Sequence, residues 1–317
     1  MIASRRILCV AVAFAACCAS RAGAQSRPAP PAEVVPLQTR DGVQLKATYY
    51  PSASRGTARG KQVTPVVLLH DYKNSRAIFA PLAQRLQSPG ESEGDRPSFA
   101  VVTVDLRGHG DSTKQITPDG FQFELDAARL GKPALLAMAG LDMEAVRSFL
   151  VAKNDAGELN LNKLCLVGAG MGANVAANWA AQDWAAPALA IGKQGQDVKA
   201  LALVSPSWSY KGLSMQGPLR FRPLAQNAAW LVIYGEEDDK VKADVRRIER
   251  QLERYHPEPA ADAGVLRGLS VVPWKSKLQG DTLLKQVGPP LEDPLIKFLM
   301  EHVAKHEYPW LSRLNRR

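Results

Sequence analysis

Cysteine is nearly missing from the body of this chain. Three of its four cysteines, Cys9, Cys17 and Cys18, fall within the first 24 residues. The fourth, Cys165, sits in a short apolar run and reads as a small buried hydrophobe. A disulfide framework is therefore excluded. Beyond the first two dozen residues no apolar stretch is long enough to span a bilayer. Nor is there a dense Lys/Arg run interleaved with aromatics, so nucleic acid is not an expected partner. No internal repeat is evident. Histidine occurs only at positions 70, 109, 256, 302 and 306, and nothing in their spacing implies a metal or a cofactor.

What is present begins with a targeting signal. Arg5 and Arg6 precede an apolar run from Ile7 to Ala19, and Ala22-Gly23-Ala24 is an A-x-A cleavage site, so residues 1–24 read as a signal peptide. A weaker alternative is lipidation at Cys17. Cleavage also removes Arg21 and takes the formal charge from +9 to +6. Residues 25–32 read as a Pro/Ala-rich tether, and residues 33–317 as a single α/β domain working in the periplasm or outside the cell.

The chain is organised around Leu164 to Ala176. A run of β-formers breaks at Gly168, Gly170 and Gly172 and resumes as Ala-rich, helix-favouring sequence, which predicts a buried strand, a tight turn and a helix. Around it, Glu33 to Tyr50 predicts two strands about an Asp41-Gly42 turn. Val66–Leu69, Phe99–Val104, Val198–Ser205, Trp230–Tyr234 and Leu269–Val272 predict further buried strands. Helices are expected over 77–87, 141–153, 242–255 and 291–305, a loop insertion over 113–140, and a short lid over 206–228. In that lid stretch Trp208, Tyr210, Met215 and Phe221 alternate with Lys211, Arg220 and Arg222, a set suited to an anionic, partly apolar ligand.

Four motifs in order resemble the α/β-hydrolase family. Gly168-Ala169-Gly170-Met171-Gly172 resembles its nucleophile elbow, G-x-S-x-G, but Gly170 stands where the serine belongs. Asp105-Leu106-Arg107-Gly108-His109-Gly110-Asp111-Ser112 matches the family's D-x-R-G-H-G-x-S turn residue for residue. There Asp105 and Arg107 are expected to pair, and His109 is expected to be structural. His70-Asp71 stands at the place of the family's His-Gly, whose following N–H joins that of Met171 in the oxyanion hole. Gly235-x-x-Asp238-x-x-Val241 matches the triad acid, with Asp238 as a vestigial acid. No histidine follows the last strand, through Pro273-Trp274-Lys275-Ser276-Lys277-Leu278-Gln279-Gly280-Asp281-Thr282.

The resemblance implies an α/β-hydrolase fold, a mostly parallel sheet with helices on both faces. It implies a degenerate site, because an elbow without hydroxyl, thiol or carboxylate has nothing to activate. The expected role is binding a small molecule or an envelope protein. One alternative is an ester hydrolase with a displaced nucleophile, Ser205, Ser207 or Ser112, and His70 or His109 as base. The other is a nucleotide-binding domain, since Gly168-x-Gly170-x-x-Ala173 also fits a dinucleotide fingerprint.

Overall fold

A computed structural model describes residues 29–88, 97–187, 192–259 and 266–313. The signal peptide and Cys17 lie outside the described residues. The chain opens with strands β1 (Glu33–Gln38) and β2 (Val43–Tyr50), paired antiparallel about Gly42 at φ +86°. Then come β3 (Pro65–Leu69), helix α1 (Ala80–Gln87) and β4 (Ala100–Asp105). Residues 113–140, expected as loop, carry the small hairpin β5 (Lys114–Ile116) and β6 (Gln122–Glu124), helix α2 (Lys132–Ala137) and most of a π-helical turn over Met138–Asp142. Helix α3 (Met143–Asp155), the elbow strand β7 (Leu164–Ala169) and α4 (Met171–Ala185) follow, then β8 (Val198–Val204). The lid stretch folds as the two-residue strands β9 (Ser209–Tyr210) and β10 (Leu213–Ser214) with helices α5 (Gln216–Arg220) and α6 (Arg222–Asn227). The chain ends with β11 (Ala229–Gly235), α7 (Asp239–Leu252), β12 (Leu269–Trp274), α8 (Gly280–Val287) and α9 (Pro289–Leu299).

The main sheet runs β12-β11-β8-β7-β3-β4-β2-β5-β6, with β1 on β2. The six strands from β12 to β4 are parallel, and β2 joins β4 antiparallel. The five from β11 to β4 read as unbroken Val/Leu/Ala runs because both faces are covered. One core layer packs β3, β4 and β7 side chains such as Val67, Val102 and Leu166 against α3 and α4. The other packs Val66, Leu68, Val101 and Cys165 against α1 and α9. Strand β12 departs from the expected burial: as an edge strand it is only half-buried beyond Leu269. Near the N-terminus Pro30, inside the expected tether, is pinned to the body by the Gln87 amide through its carbonyl, 2.8 Å.

Candidate functional site

The carboxyl ends of β3, β7 and β8 and the loop from β12 into α8 meet at one corner. Gly170 makes that corner, at φ +48° and ψ −111°, a region that strains any residue with a Cβ. Its N–H donates to Val204 O (2.8 Å), and Ser205 N–H donates to Ile233 O (2.7 Å), which fixes both strand ends in the sheet. Gly172 is equally required, because a Cβ there would run into the backbone of Leu69 and His70.

Space for a side chain at Gly170 is already taken. A Cβ at that position would land inside the Asp71 carboxylate. Asp71 arrives from the end of β3, and its Oδ1 accepts from Met171 N–H (2.8 Å) and from Tyr72 N–H (2.7 Å). These are the amides that the oxyanion hole of the resemblance would use. A carboxylate belonging to the chain therefore sits where a transition-state oxyanion would be received. Asp71 N–H turns the other way and donates to Asp281 Oδ2 (2.9 Å), while Asn74 Nδ2 donates to Asp281 Oδ1 (3.1 Å). Burial raises the Asp71 pKa; the two amides oppose that rise and neighbouring Asp281 adds to it.

The loop that should carry a histidine does reach this corner, but it brings Gln279, Gly280 and Asp281. A Cβ at Gly280 would stand 2.5 Å from Asp71 Oδ2, so Gly280 closes the carboxylate in from the opposite side. Gln279 was missed in the sequence. Its Oε1 accepts from Ser205 Oγ–H (2.6 Å) and from Gly235 N–H (3.2 Å), and its Nε2 donates to Gly235 O (2.8 Å). Helix α8, which begins here, was also missed. The signal for this helix is the apolar Leu283-Leu284 pair, which is buried on its inner face.

None of the candidate bases meets a candidate nucleophile. His70 is fully buried; its Nδ1–H donates to Asp71 O (2.7 Å) and its Nε2 accepts from Leu106 N–H (3.2 Å). Both nitrogens are used, and burial pushes its pKa down to about 3, so it stays neutral. His109 donates from Nδ1 to Arg107 O (3.0 Å), and its buried Nε2 has no hydrogen-bond partner among the described residues. It stacks against His70 (5.0 Å between centroids) and Tyr72 (5.9 Å). His256 binds Ala225 O, His302 packs on Phe298, and His306 binds Glu301 O, all on the far helices. Asp238 caps α7 by accepting from Lys240 and Val241 N–H, 3.0 Å each, and touches no histidine.

The three displaced serines fare no better. Ser205 holds a strained φ of +51° and lies at the corner, but its Oγ–H goes to an amide oxygen, which cannot take a proton, and its Oγ accepts from Gly280 N–H (2.9 Å). Ser112 is buried under the turn, donating to Asp105 O (2.7 Å) and accepting from Lys46 N–H (2.9 Å). Ser207 is held through its backbone by Asn174.

The Asp105 to Ser112 turn corrects one expectation. Asp105 and Arg107 do not pair. Asp105 faces Arg76, whose side chain ion-pairs with it and whose N–H donates to Oδ1 (2.6 Å), and it also accepts from Asp111 N–H (2.9 Å). Arg107 points to the other side, forking onto Asp142 (2.9 and 2.7 Å) and Asp41 (2.7 and 3.1 Å). Gly108 and Gly110, both at positive φ, bend the chain sharply between them. At Gly110 a Cβ would strike the Asp105 carboxylate.

The stretch expected as a lid packs beside this corner through Tyr72. Lys211 (φ +44°) and Gly212 (φ +89°) turn the β9–β10 hairpin, and Lys211 Nζ stands 4.3 Å from the Tyr72 ring. Tyr210 lies 6.4 Å from Tyr72, and burial together with the Asp71 charge keeps its hydroxyl protonated. Helix α4 holds the hairpin. Asn174 Nδ2 donates to Ser207 O (2.9 Å) and Leu213 O (3.0 Å), and Asn178 Nδ2 to Ser214 O (3.2 Å).

A model of the alpha/beta hydrolase family matches residues 66–311. The chain belongs to that family. Among solved structures the fold is similar to an esterase from Pyrococcus furiosus, at 14% identity and TM-score 0.54 over 86% of this chain and 91% of that one. It is likewise similar to a Pyrobaculum calidifontis esterase, at 15% and 0.54 over 87% and 86%. A dienelactone hydrolase from Anabaena variabilis gives 15% and 0.53 over 86% and 99%. No curated protein matches the chain. At these identities the likeness shows the fold alone. The α4 N-terminus, where a dinucleotide pyrophosphate would bind, faces the Asp71 carboxylate instead. Among the described residues no three His, Cys, Asp or Glu side chains gather as a metal site, and no helix is long and apolar enough to cross a membrane.

Proposed function

We propose that this protein is an exported member of the family that has lost hydrolase chemistry and serves as a binding or interaction protein in the cell envelope. The observation that carries the reading is the Asp71 carboxylate on the Met171 and Tyr72 amides, against Gly170. An ester carbonyl entering this corner would have to displace a bound carboxylate. A tetrahedral oxyanion forming there would meet like charge at short range, in a partly buried setting where water screens it poorly. Without nucleophile and base, no step of acyl transfer has an atom to begin it. Export rests on the N-terminal segment and is tested by the mass of the mature chain recovered from the periplasm or medium.

Family membership favours a second reading, ester hydrolysis from Ser205, which alone among the candidate serines combines strain with a place at the corner. Turnover of p-nitrophenyl acetate by the full mature chain separates the two. The first reading expects no rate above buffer in wild type. A rate abolished by Ser205→Ala would overturn it in favour of the second.

A further inference from the structure

We propose that the cleft between the lid and α7 is a binding site for a small oxyanion, a carboxylate or a phosphate on a short organic stem. It lies apart from the elbow and is lined by Trp208, Gln216, Leu219, Arg220, Arg247 and Gln251, around a cavity of about 50 Å³. That is far below the range of drug-sized pockets and suits one charged head group whose organic stem stays in solvent.

Two of the lining residues are guanidiniums without a carboxylate. Arg55, Arg76, Arg107, Arg147, Arg267 and Arg313 each pair with an acid. Arg220 and Arg247, both exposed, show no ion pair with a carboxylate among the described residues, as is true of Arg222, Arg246 and Arg250, but these two face one cleft. Their geometry is held in place. Arg247 lies on the Trp208 ring, Cζ 3.7 Å from the centroid, so its face is covered and its in-plane N–H donors are left for a ligand. Gln216, with its amide oxygen turned toward Arg220, accepts from both terminal nitrogens at 3.1 and 3.0 Å. That contact orients the second guanidinium without neutralising it. The Gln251 amide supplies a further donor at the rim, and Leu219 an apolar wall. The open Arg247 fork can bind planar or tetrahedral oxygens bidentately, and Arg220 adds its uncancelled charge and its remaining outer N–H donors.

The cleft joins the lid to α7. An occupant would therefore bridge the two, with α5 on one side and the basic face of α7 on the other. This places ligand recognition outside the corner held by Asp71 and does not depend on whether that corner is active.

The test is titration of the mature chain by calorimetry and tryptophan fluorescence with sodium succinate, and separately with inorganic phosphate, each against chloride at matched ionic strength. Saturable binding of at least one is expected, and which one binds tells a carboxylate site from a phosphate site. Arg220→Met and Arg247→Met should each weaken it about tenfold or more, and so should Arg247→Lys, which keeps the charge and loses the fork. Arg254→Met, an exposed arginine outside the cleft, should leave it unchanged. Absence of saturable binding beyond chloride, or equal weakening by Arg254→Met, would overturn the proposal. Unaltered thermal unfolding of the variants shows that any loss is local.

Discussion

The turn from Asp105 to Ser112 and the elbow from Gly168 to Gly172 lie on neighbouring parts of the same sheet edge, and they have fared differently. In the turn each charged side chain, and Ser112 with them, is answered: Asp105 by Arg76 and Asp111 N–H, Arg107 by Asp41 and Asp142, Asp111 by Arg76, and Ser112 by Lys46 N–H and Asp105 O. In the elbow the corner residue is Gly170, at φ +48° and ψ −111°, and the Asp71 carboxylate from the end of β3 fills the space a side chain would take. The difference separates two kinds of constraint. Asp105, Arg107 and Ser112 are held by the energetics of folding, because removing any of these three strands a buried partner. At the elbow corner nothing buried depends on a side chain at Gly170, and glycine holds its φ of +48° at lower backbone cost than serine would.

The largest effect that would break this contrast is in the turn. Arg107→Met strands the fully buried Asp142 carboxylate beside Asp41 and should cost about 3–5 kcal/mol in denaturant unfolding. A loss under about 1 kcal/mol, typical of exposed pairs, would mean the turn is no more constrained than the elbow. Next comes Gly170→Ser, which meets positive-φ strain of about 1–3 kcal/mol and the Asp71 carboxylate together. It should destabilise the fold and still fail to turn over p-nitrophenyl acetate. Combined with Asp71→Gly, the two losses should add to less than their sum, since each relieves the other's overlap.

Smaller effects sharpen the electrostatics. Because the folded chain holds the Asp71 pKa above its ordinary value, the native state binds more protons there than the unfolded one, and the stability it contributes falls as pH rises through that window. Asp71→Asn keeps an oxygen for the Met171 and Tyr72 amides, so it should gain on wild type from about pH 4 up to the raised native value and no further. A gain as pH falls would reverse the sign and contradict the burial argument. His70 has the opposite sense. Its native pKa is depressed to about 3, so its contribution is full above the ordinary value of 6.5 and is lost as pH falls toward 3. Its ring resonances should stay flat to about pH 5 in NMR titration, whereas a midpoint near 6.5 would mean an exposed ring. The smallest effect concerns Cys165, whose thiol burial pushes up in pKa. It should resist a thiol reagent in the native state and react once unfolded.

The fold was legible because its strands are short apolar runs in parallel order and its turn motif is intact. Glu33 to Tyr50, for instance, forms the expected hairpin at Gly42. The stretch from Thr113 to Gly140 was not, since Pro118, Gly120, Gly131 and Pro133 read as loop, while the chain uses them to punctuate a hairpin and a helix that starts with Pro133 in its first turn. At the site, the missing serine was visible in one residue. The partners were not. Asp71 reaches Met171 across a hundred positions, Gln279 reaches Ser205 across more than seventy, and Asp105 finds Arg76 rather than its near neighbour Arg107. Local spacing cannot report which way a carboxylate turns at the end of a strand.

The most direct test is to incubate the mature chain with a fluorophosphonate and weigh it intact by mass spectrometry. An unmodified mass is the predicted result, because no serine at the corner has a base to activate it. A stoichiometric adduct mapping to Ser205 or Ser207 would contradict it.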